Sequence, residues 1–262
     1  MWLLKLLLLA LVGYVLYDQI ILNQDMATIK YQLQKGLKGS NWVYLVGCIL
    51  LMPVNWLIES VKWRMLILPW KNLTKIDAMK AIYAGISVGL VTPARIGEYG
   101  GRLLLIDGED RIKSIPATLI SSIAQNISNI IGGYIGALIF CCCYFSFNRF
   151  VYIAGSILGL LVIIMLCALF FNITKLKLDG LNRWWWGKLL NKQAHVISQY
   201  DRPILKRVLT LSYLRYLIYC TQYVLILDFL GLELSLLAAF SGVAVIYLFQ
   251  SGIPLPPMLS VI

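Results

Sequence analysis

The chain has 262 residues, of which 60% are hydrophobic and 13% are charged, and its formal net charge at pH 7 is +11. Ordinary soluble domains are about 45–50% apolar and about 25% charged, so this composition excludes a soluble globular enzyme and predicts a membrane protein. The apolar stretches are long and continuous rather than alternating in polarity, which favours membrane-spanning helices over a membrane β-barrel.

The excess of positive charge has two interpretations, nucleic-acid binding and membrane topology. The sequence contains no stripe of basic and aromatic residues suited to a nucleic acid. We favour the positive-inside rule, by which Lys and Arg collect in cytoplasmic loops. Residues 172–206 and 69–80 are rich in Lys and Arg. We therefore expect these loops, and the N-terminus, on the cytoplasmic side of a cell (inner) membrane.

In chain order, six apolar runs of suitable length predict crossing helices. They cover residues 2–22, 42–68, 116–145, 150–171, 209–230 and 234–253. The first run has a positive start, as a signal peptide does. Tyr14, Tyr17 and Asp18 stand where a small-residue cleavage site would lie, so we interpret the run as a retained helix. The polar residues 23–40 predict a loop.

Residues 78–106 predict a hairpin rather than a crossing. Two predicted helices separate the end of this segment from the basic loop 172–206, so both of its ends face the cytoplasm. Pro93 divides the segment into halves of about 14 and 12 residues, each too short to span a bilayer. A re-entrant pair of half-helices, covered by protein or by a water-filled cavity, satisfies both conditions. The predicted fold is an all-α polytopic membrane protein with about six transmembrane helices and this hairpin.

Residues 184–200 begin with three tryptophans and continue with Lys among apolar residues. Trp prefers the membrane interface, so this segment predicts an interfacial helix on the cytoplasmic surface. The alternative is an ordinary solvated loop.

The segment 92–102, TPARIGEYGGR, carries the most informative charges. Arg95, Glu98 and Arg102 share one face of a helix, and a charge at the bilayer centre costs about 2.5–3.5 kcal/mol on insertion scales. We interpret them as a binding site for an anionic head group, because the arginine fork binds phosphate through two parallel hydrogen bonds. A structural ion pair that closes the hairpin is the alternative. The residues expected to shape the backbone here are Pro93, Gly97, Gly100 and Gly101.

Glu59 extends this candidate site onto the second predicted helix. It can pair with Lys62 within its own helix or with Arg95 or Arg102 across helices. Because it lies toward the cytoplasmic end of its helix, a plain surface ion pair is the alternative.

Two later helices also carry polar candidates. Asn126 and Asn129, together with Ser122, lie on one face of helix 116–145 and either line a polar cavity or form interhelical hydrogen bonds. Arg215 either contacts substrate or snorkels to the cytoplasmic side, and we favour snorkelling.

The sequence offers no constellation for catalysis or metal binding. Its single histidine, His195, lies in the basic loop, and no nucleophile elbow, zinc-protease motif or P-loop is present. The six cysteines lie in apolar runs without metal-ligand spacing and are interpreted as buried free thiols, with palmitoylation as the alternative. We predict no enzymatic activity, no cofactor and no metal site.

Two segments resemble the lysylphosphatidylglycerol synthase transmembrane family: NWLIESVKWR at residues 55–64 and GISVGLVTPARIGEYGGR at residues 85–102. The residues that carry the resemblance are Pro93, Gly97, Glu98 and Arg102, with the earlier Glu59, Trp63 and Arg64. It implies a single flippase-like membrane domain over residues 1–262 and a lipid-handling role. The family includes the membrane half of the multiple peptide resistance factor, which moves aminoacylated phosphatidylglycerol between leaflets.

The chain departs from the family pattern in two ways. It has no soluble lysyl-transferring domain, which argues against aminoacyl-lipid synthesis. Family members usually continue past a second proline- and glycine-rich motif, whereas this chain stops at SGIPLPPMLSVI. We expect a truncation here, with Pro254, Pro256 and Pro257 as the start of a second broken helix.

Three functions compete on these observations. The first is translocation or binding of an anionic phospholipid or lipid-linked head group, with membrane lipids as partners and no nucleic acid. The second is a non-transporting membrane partner of a lipid- or glycan-modifying enzyme, docking through residues 184–200. The third is an intramembrane enzyme with Glu59 or Glu98 as base, which the absence of a His, Ser or metal constellation disfavours.

Overall fold

A computed structural model of the protein describes residues 26–90, 92, 96–106, 110–145, 148–175, 193, 195–232 and 234–252. Over these ranges the chain is helical and contains no strand, as predicted. The helices are α1 (Met26–Lys38), α2 (Trp42–Ile67), α3 (Lys75–Leu90), α4 (Ile96–Leu103), α5 (Asp110–Tyr144), α6 (Arg149–Phe171), α7 (Arg202–Phe229) and α8 (Leu236–Gly252), with a 3-10 turn at Ile173–Lys175.

Three of the described helices are long and apolar enough to cross a membrane: Trp42–Ile67, Arg111–Tyr144 and Arg149–Phe171. The chain is therefore a helical membrane protein, as its composition predicts. Helix α7 has 28 residues, about 42 Å of helix, but its charged residues lower its hydropathy. Helix α8 is apolar but shorter. The further crossings among the six predicted ones stay predictions.

Side-chain caps and a glycine set several helix ends. Thr74 Oγ1 accepts a hydrogen bond from Asp77 N (3.1 Å) at the start of α3, and Asn148 Oδ1 accepts one from Phe150 N (3.0 Å) at the start of α6. Helix α7 ends where Gly231 adopts φ 75°, the left-handed conformation that favours glycine.

Helices α2 and α7 run antiparallel in direct contact. Gln222 Nε2 donates to the Cys48 carbonyl oxygen (3.2 Å) near the start of α2. Near the other end of α2, Lys62 Nζ donates to Ser212 Oγ (3.1 Å). The contacts advance along α2 as they recede along α7, which places the first half of α7 beside the last third of α2.

Small residues hold α8 against the far half of α5. A Cβ on Gly133 would lie 2.6 Å from Leu248 Cβ and 2.9 Å from the Ala244 carbonyl oxygen, and Gly136 also faces Ala244. In lipid, helices associate through such close packing rather than through a hydrophobic drive. Glycine on α5 therefore provides the surface on which α8 lies.

The main apolar core lies at the end of the bundle where α2 ends and α5 and α7 begin. Its largest fully buried members include Trp63, Leu66, Ile67, Ile82, Ile106, Ile120, Leu205 and Val208. Leu73, which precedes α3, and Ile106, which follows α4, both belong to this core. The segment between them therefore begins and ends at the same end of the bundle.

Helices α3 and α4 form an antiparallel hairpin with almost no space between their backbones. A Cβ on Gly97 would lie 2.6 Å from the Val88 carbonyl oxygen, and one on Gly101 would lie 2.5 Å from the Ala84 carbonyl oxygen. The predicted break at Pro93 lies outside the described residues. Gly100 has no heavy atom of the described residues within 4 Å of a would-be Cβ, so it makes no close backbone approach there, and its predicted role in ligand approach stays a prediction.

Three predicted boundaries differ from the structure. Residues 23–40 were assigned to a loop on polarity alone, but Met26–Lys38 is helical, because its apolar residues recur at helical spacing and make it amphipathic. Helix α5 begins at Asp110, since Pro116 lies inside the helix without ending it. Helix α7 begins at Arg202, since a proline fits the first turn of a helix.

Most of the predicted interfacial helix at 184–200 lies outside the described residues. Its last residue is anchored: Tyr200 is buried, and its hydroxyl donates to the Leu66 carbonyl oxygen at 2.9 Å. Burial raises the pKa of Tyr200 to about 12, so the phenol remains a donor at neutral pH.

The adjacent glycines of α4 give a matched test of the hairpin packing. Gly101→Ala should lower the free energy of unfolding by about 1–3 kcal/mol, because the new methyl meets the Ala84 backbone. Gly100→Ala should leave it unchanged or raise it by up to about 1 kcal/mol, because it enters open space and favours the helix. Unfolding followed by intrinsic fluorescence in detergent measures both, and equal effects would contradict the packing.

Candidate functional site

Helix α2 presents a polar face to the interior of the bundle. Asn55, Glu59 and Lys62 are each at most 2% exposed. Their spacing of four and three residues places them on one side of the helix. Burial of two charges on one face of a membrane helix requires partners from neighbouring helices.

Glu59 receives three cations from three different helices. Its Oε2 lies 2.8 Å from Lys62 Nζ and 2.6 Å from Arg215 Nη1, and its Oε1 lies 2.9 Å from Arg102 Nη2. Ser121 Oγ on α5 also donates to Oε1, at 3.0 Å. A single carboxylate thus joins α2, the hairpin, α5 and α7. We call these ionic groups, with Glu98, the Glu59 cluster.

Arg102 connects the cluster to the hairpin. Its Nη2 bridges Glu59 and Glu98, with 2.5 Å to Glu98 Oε1. The guanidinium lies over the Trp63 ring, 5.9 Å from the ring centroid. Gly85 makes room for it, since a Cβ there would lie 2.8 Å from Arg102 Cγ. Within the described part of the chain, Nε and Nη1 of Arg102 are buried without a hydrogen-bond partner.

Arg215 is buried, which corrects the prediction that it snorkels to the cytoplasmic side. Arg215 is 7% exposed. Besides its bond to Glu59, its Nε donates to Asn55 Oδ1 (2.6 Å) and its Nη2 donates to Tyr219 OH (2.7 Å). These acceptors lie in the interior of the bundle, so the arginine turns inward.

Lys62 and the polar residues of α5 complete the interior. Lys62 Nζ donates to Ser212 Oγ (3.1 Å) and to the Ser121 carbonyl oxygen (3.4 Å). Gln125 Nε2 donates to Asn129 Oδ1 (3.1 Å) and to the Ser212 carbonyl oxygen (3.3 Å). With its ion pair to Glu59, the Lys62 ammonium therefore faces oxygen atoms of three helices, α2, α5 and α7.

The Glu59 cluster carries an excess positive charge. Lys62, Arg102 and Arg215 supply three positive charges, and Glu59 and Glu98 supply two negative charges, so the sum is +1. Removing charges from water costs several kcal/mol per ion, which good geometry only offsets. A buried group with unpaired donors and a net positive charge is suited to bind an anion.

The structure brings together four of the predicted substrate-binding residues: Glu59, Glu98, Arg102 and Arg215. Arg95 lies outside the described residues. Asn129 reaches the edge of the cluster through Gln125, whereas Asn126 is exposed.

The buried polar face of α5 passes through Ser121, whereas the polar face expected from the sequence passes through Ser122. Ser121 rather than Ser122 contacts Glu59, and Thr118 and Ser128 lie buried on the same side of α5. Spacing in the sequence contained a signal, since Ser114, Thr118, Ser121 and Ser128 recur every three, four or seven residues. The other residue that sequence reasoning left out of the site is Lys62, which had been considered only as a partner of Glu59.

The described side chains do not form a metal site. Among them, no three His, Cys, Asp or Glu residues lie close enough together to hold a metal ion.

Glu59 can be tested by a double substitution. Glu59→Gln should lower the free energy of unfolding by about 3–5 kcal/mol, because it leaves buried cations unpaired. Adding Lys62→Met should recover part of that loss, because it removes one of the cations left without its carboxylate. Chemical denaturation in detergent measures both.

The exposed pair of Asp77 and Lys80 gives the control. Its atoms are 3.8 Å apart and its side chains are 48% and 64% exposed. Asp77→Asn should cost less than about 1 kcal/mol. Additive effects of Glu59→Gln and Lys62→Met would contradict a shared buried network.

The geometry can be compared with known proteins. The chain matches the family described as the lysylphosphatidylglycerol synthase TM region over residues 2–262. No match was found among curated proteins or among solved structures. The family match extends over nearly the whole chain, including both α2 and the hairpin that build the Glu59 cluster. The chain therefore belongs to the lysylphosphatidylglycerol synthase transmembrane region family.

Proposed function

We propose that this protein binds the anionic head group of a membrane lipid at the α3–α4 hairpin and carries it between leaflets. The observation that supports this proposal most directly is Arg102, whose Nη2 is paired while its buried Nε and Nη1 have no partner among the described residues. Each of these donors lies next to Nη2, and each forms with it one planar edge of the guanidinium that matches phosphate. The cluster's net charge of +1 favours an anion over a cation.

In this proposal the hairpin is re-entrant. Helix α3 has 16 residues and α4 has 8, about 24 Å and 12 Å of helix, both shorter than a bilayer core of about 30 Å. Both ends of the hairpin lie at one end of the bundle, which Lys71, Lys75 and Lys80 mark as cytoplasmic by the positive-inside rule. The head group would then enter from the cytoplasmic leaflet of the cell membrane.

A leaflet-exchange assay tests transport. The full chain is reconstituted into vesicles with fluorescent phosphatidylglycerol, and exchange is followed by chemical quenching of the outer leaflet. Wild type should exceed protein-free vesicles. Arg102→Ala should slow exchange roughly tenfold or more, since a hydrogen bond to a charged group contributes about 1.5–3 kcal/mol.

Two controls separate binding from misfolding. Arg102→Lys keeps the charge without the planar fork and should retain part of the activity. Arg207→Ala removes an exposed arginine of α7 and should leave exchange unchanged. Size-exclusion profiles report whether each variant is folded.

Exchange by wild type at the rate of protein-free vesicles would refute transport. If phosphatidylglycerol still bound under those conditions, the protein would fit the second function, a non-transporting partner of a lipid- or glycan-modifying enzyme. Neither role requires this chain to be an enzyme.

A further inference from the structure

We propose that Glu98 is a built-in competitor of the ligand, which occupies Arg102 until a lipid phosphodiester replaces it. This inference rests on the function proposed above and names the class of ligand and the residue that controls its access. It starts from a difference between the two carboxylates of the Glu59 cluster.

The two carboxylates differ in accessibility. The Glu98 side chain is 17% exposed, whereas those of Glu59 and Arg102 are 3% and 2% exposed. Lys62 is fully buried and the Arg215 side chain is 8% exposed. Of the five charged groups in the cluster, Glu98 is therefore the one that an incoming molecule meets first.

They also differ in how they are held. Glu59 binds three cations and a serine hydroxyl from four separate segments. Among the described residues, Glu98 pairs with Arg102, one turn away on the same short helix. Exchange at Glu59 would break the contacts of several helices, while exchange at Glu98 breaks one ion pair among the described residues.

The backbone of Glu98 stays in place when its carboxylate leaves. A Cβ on Gly89 would lie 3.4 Å from Glu98 Cβ, so α3 packs directly against this part of α4. Displacement is therefore a rotation of the side chain toward its exposed side, not a movement of the hairpin.

Charge conservation defines the ligand class. The carboxylate of Glu98 carries one negative charge, and so does the phosphodiester of a phospholipid. When one replaces the other beside Arg102, the buried charge is unchanged, which avoids a further cost of burying charge. When Glu98 releases Nη2, the phosphodiester can accept from Nη2 with one oxygen and from Nε or Nη1, which lack a partner among the described residues, with the other.

The test is a gain in affinity on removal of an acidic residue. Short-chain phosphatidylglycerol is titrated into the purified full chain in detergent, and binding is followed by calorimetry. Glu98→Gln should bind about tenfold more tightly than wild type, a change of about 1.4 kcal/mol. Glu98→Asp keeps the charge but shortens the side chain, and it should also bind more tightly than wild type.

Three controls isolate the cause. Asp77→Asn removes one negative charge from an exposed pair on α3 of the same hairpin and should leave affinity unchanged. Short-chain phosphatidylcholine is the zwitterionic lipid probe and should bind more weakly than phosphatidylglycerol. Glycerophosphoglycerol is the same phosphodiester without acyl chains, and its weaker binding would identify the lipid rather than the free head group as the ligand.

The outcomes separate this inference from the proposed function. If neither wild type nor any variant binds phosphatidylglycerol, the proposed function fails. If wild type binds and Glu98→Gln binds equally or less tightly, the function stands and the competition is refuted. A joint fall of affinity and unfolding temperature in Glu98→Gln would also refute it, since Glu98 would then stabilise the site.

Discussion

The convergence of Arg102, Lys62 and Arg215 on the Glu59 carboxylate is the constraint on which the bundle depends. These cations come from the hairpin, α2 and α7, and Ser121 adds α5. In a low-dielectric interior an unpaired ion is far more costly than the pair is favourable. The relative positions of these helices are therefore fixed by the need to keep one carboxylate paired.

Apolar side chains pack on both sides of the Glu59 cluster, and their packing is compatible with keeping Glu59 paired. The main core encloses Trp63 at one end of the bundle, and a smaller cluster around Tyr216 and Val243 joins α7 to α8 on the other side. Polar residues lie between the two, with Asn55 and Gln222 continuing the hydrogen bonds along the α2–α7 seam (3.4 Å). Apolar contacts pack each end of the bundle tightly. The polar residues between them set the register of α2 against α7.

The sequence predicted the parts of the site that depend on local spacing. Glu59 with Lys62, and Glu98 with Arg102, lie one turn apart on their helices, and the cost of burying charge in a membrane indicated that they must pair. The resemblance to the family rested on the same residues, and the match over residues 2–262 confirms it. Helices α3 and α4 pack antiparallel, and the re-entrant position of this pair in a membrane stays a prediction from loop charge and helix length.

Features that depend on contacts between helices could not be predicted from the sequence. Snorkelling of Arg215 is excluded by the position of the helix start: α7 begins at Arg202 rather than at the predicted residue 209, which places Arg215 about 20 Å along the helix. At that depth the side chain no longer reaches the helix end. On α5, the choice between Ser121 and Ser122 is a rotation of about 100°, which only the partner helices decide. The helix at Met26–Lys38 was missed because its polarity resembles that of a loop.

The contact between Gly101 and the Ala84 backbone has a mechanical consequence. Two helices whose backbones touch cannot slide or rotate past each other without a steric clash. Helices α3 and α4 therefore move as one rigid unit. Arg102 belongs to this unit and packs beside Gly85. Its guanidinium forms an ion pair with Glu59 on α2. A movement of this unit away from α2 must therefore break the Arg102–Glu59 ion pair together with the apolar contacts of Ile82 in the main core.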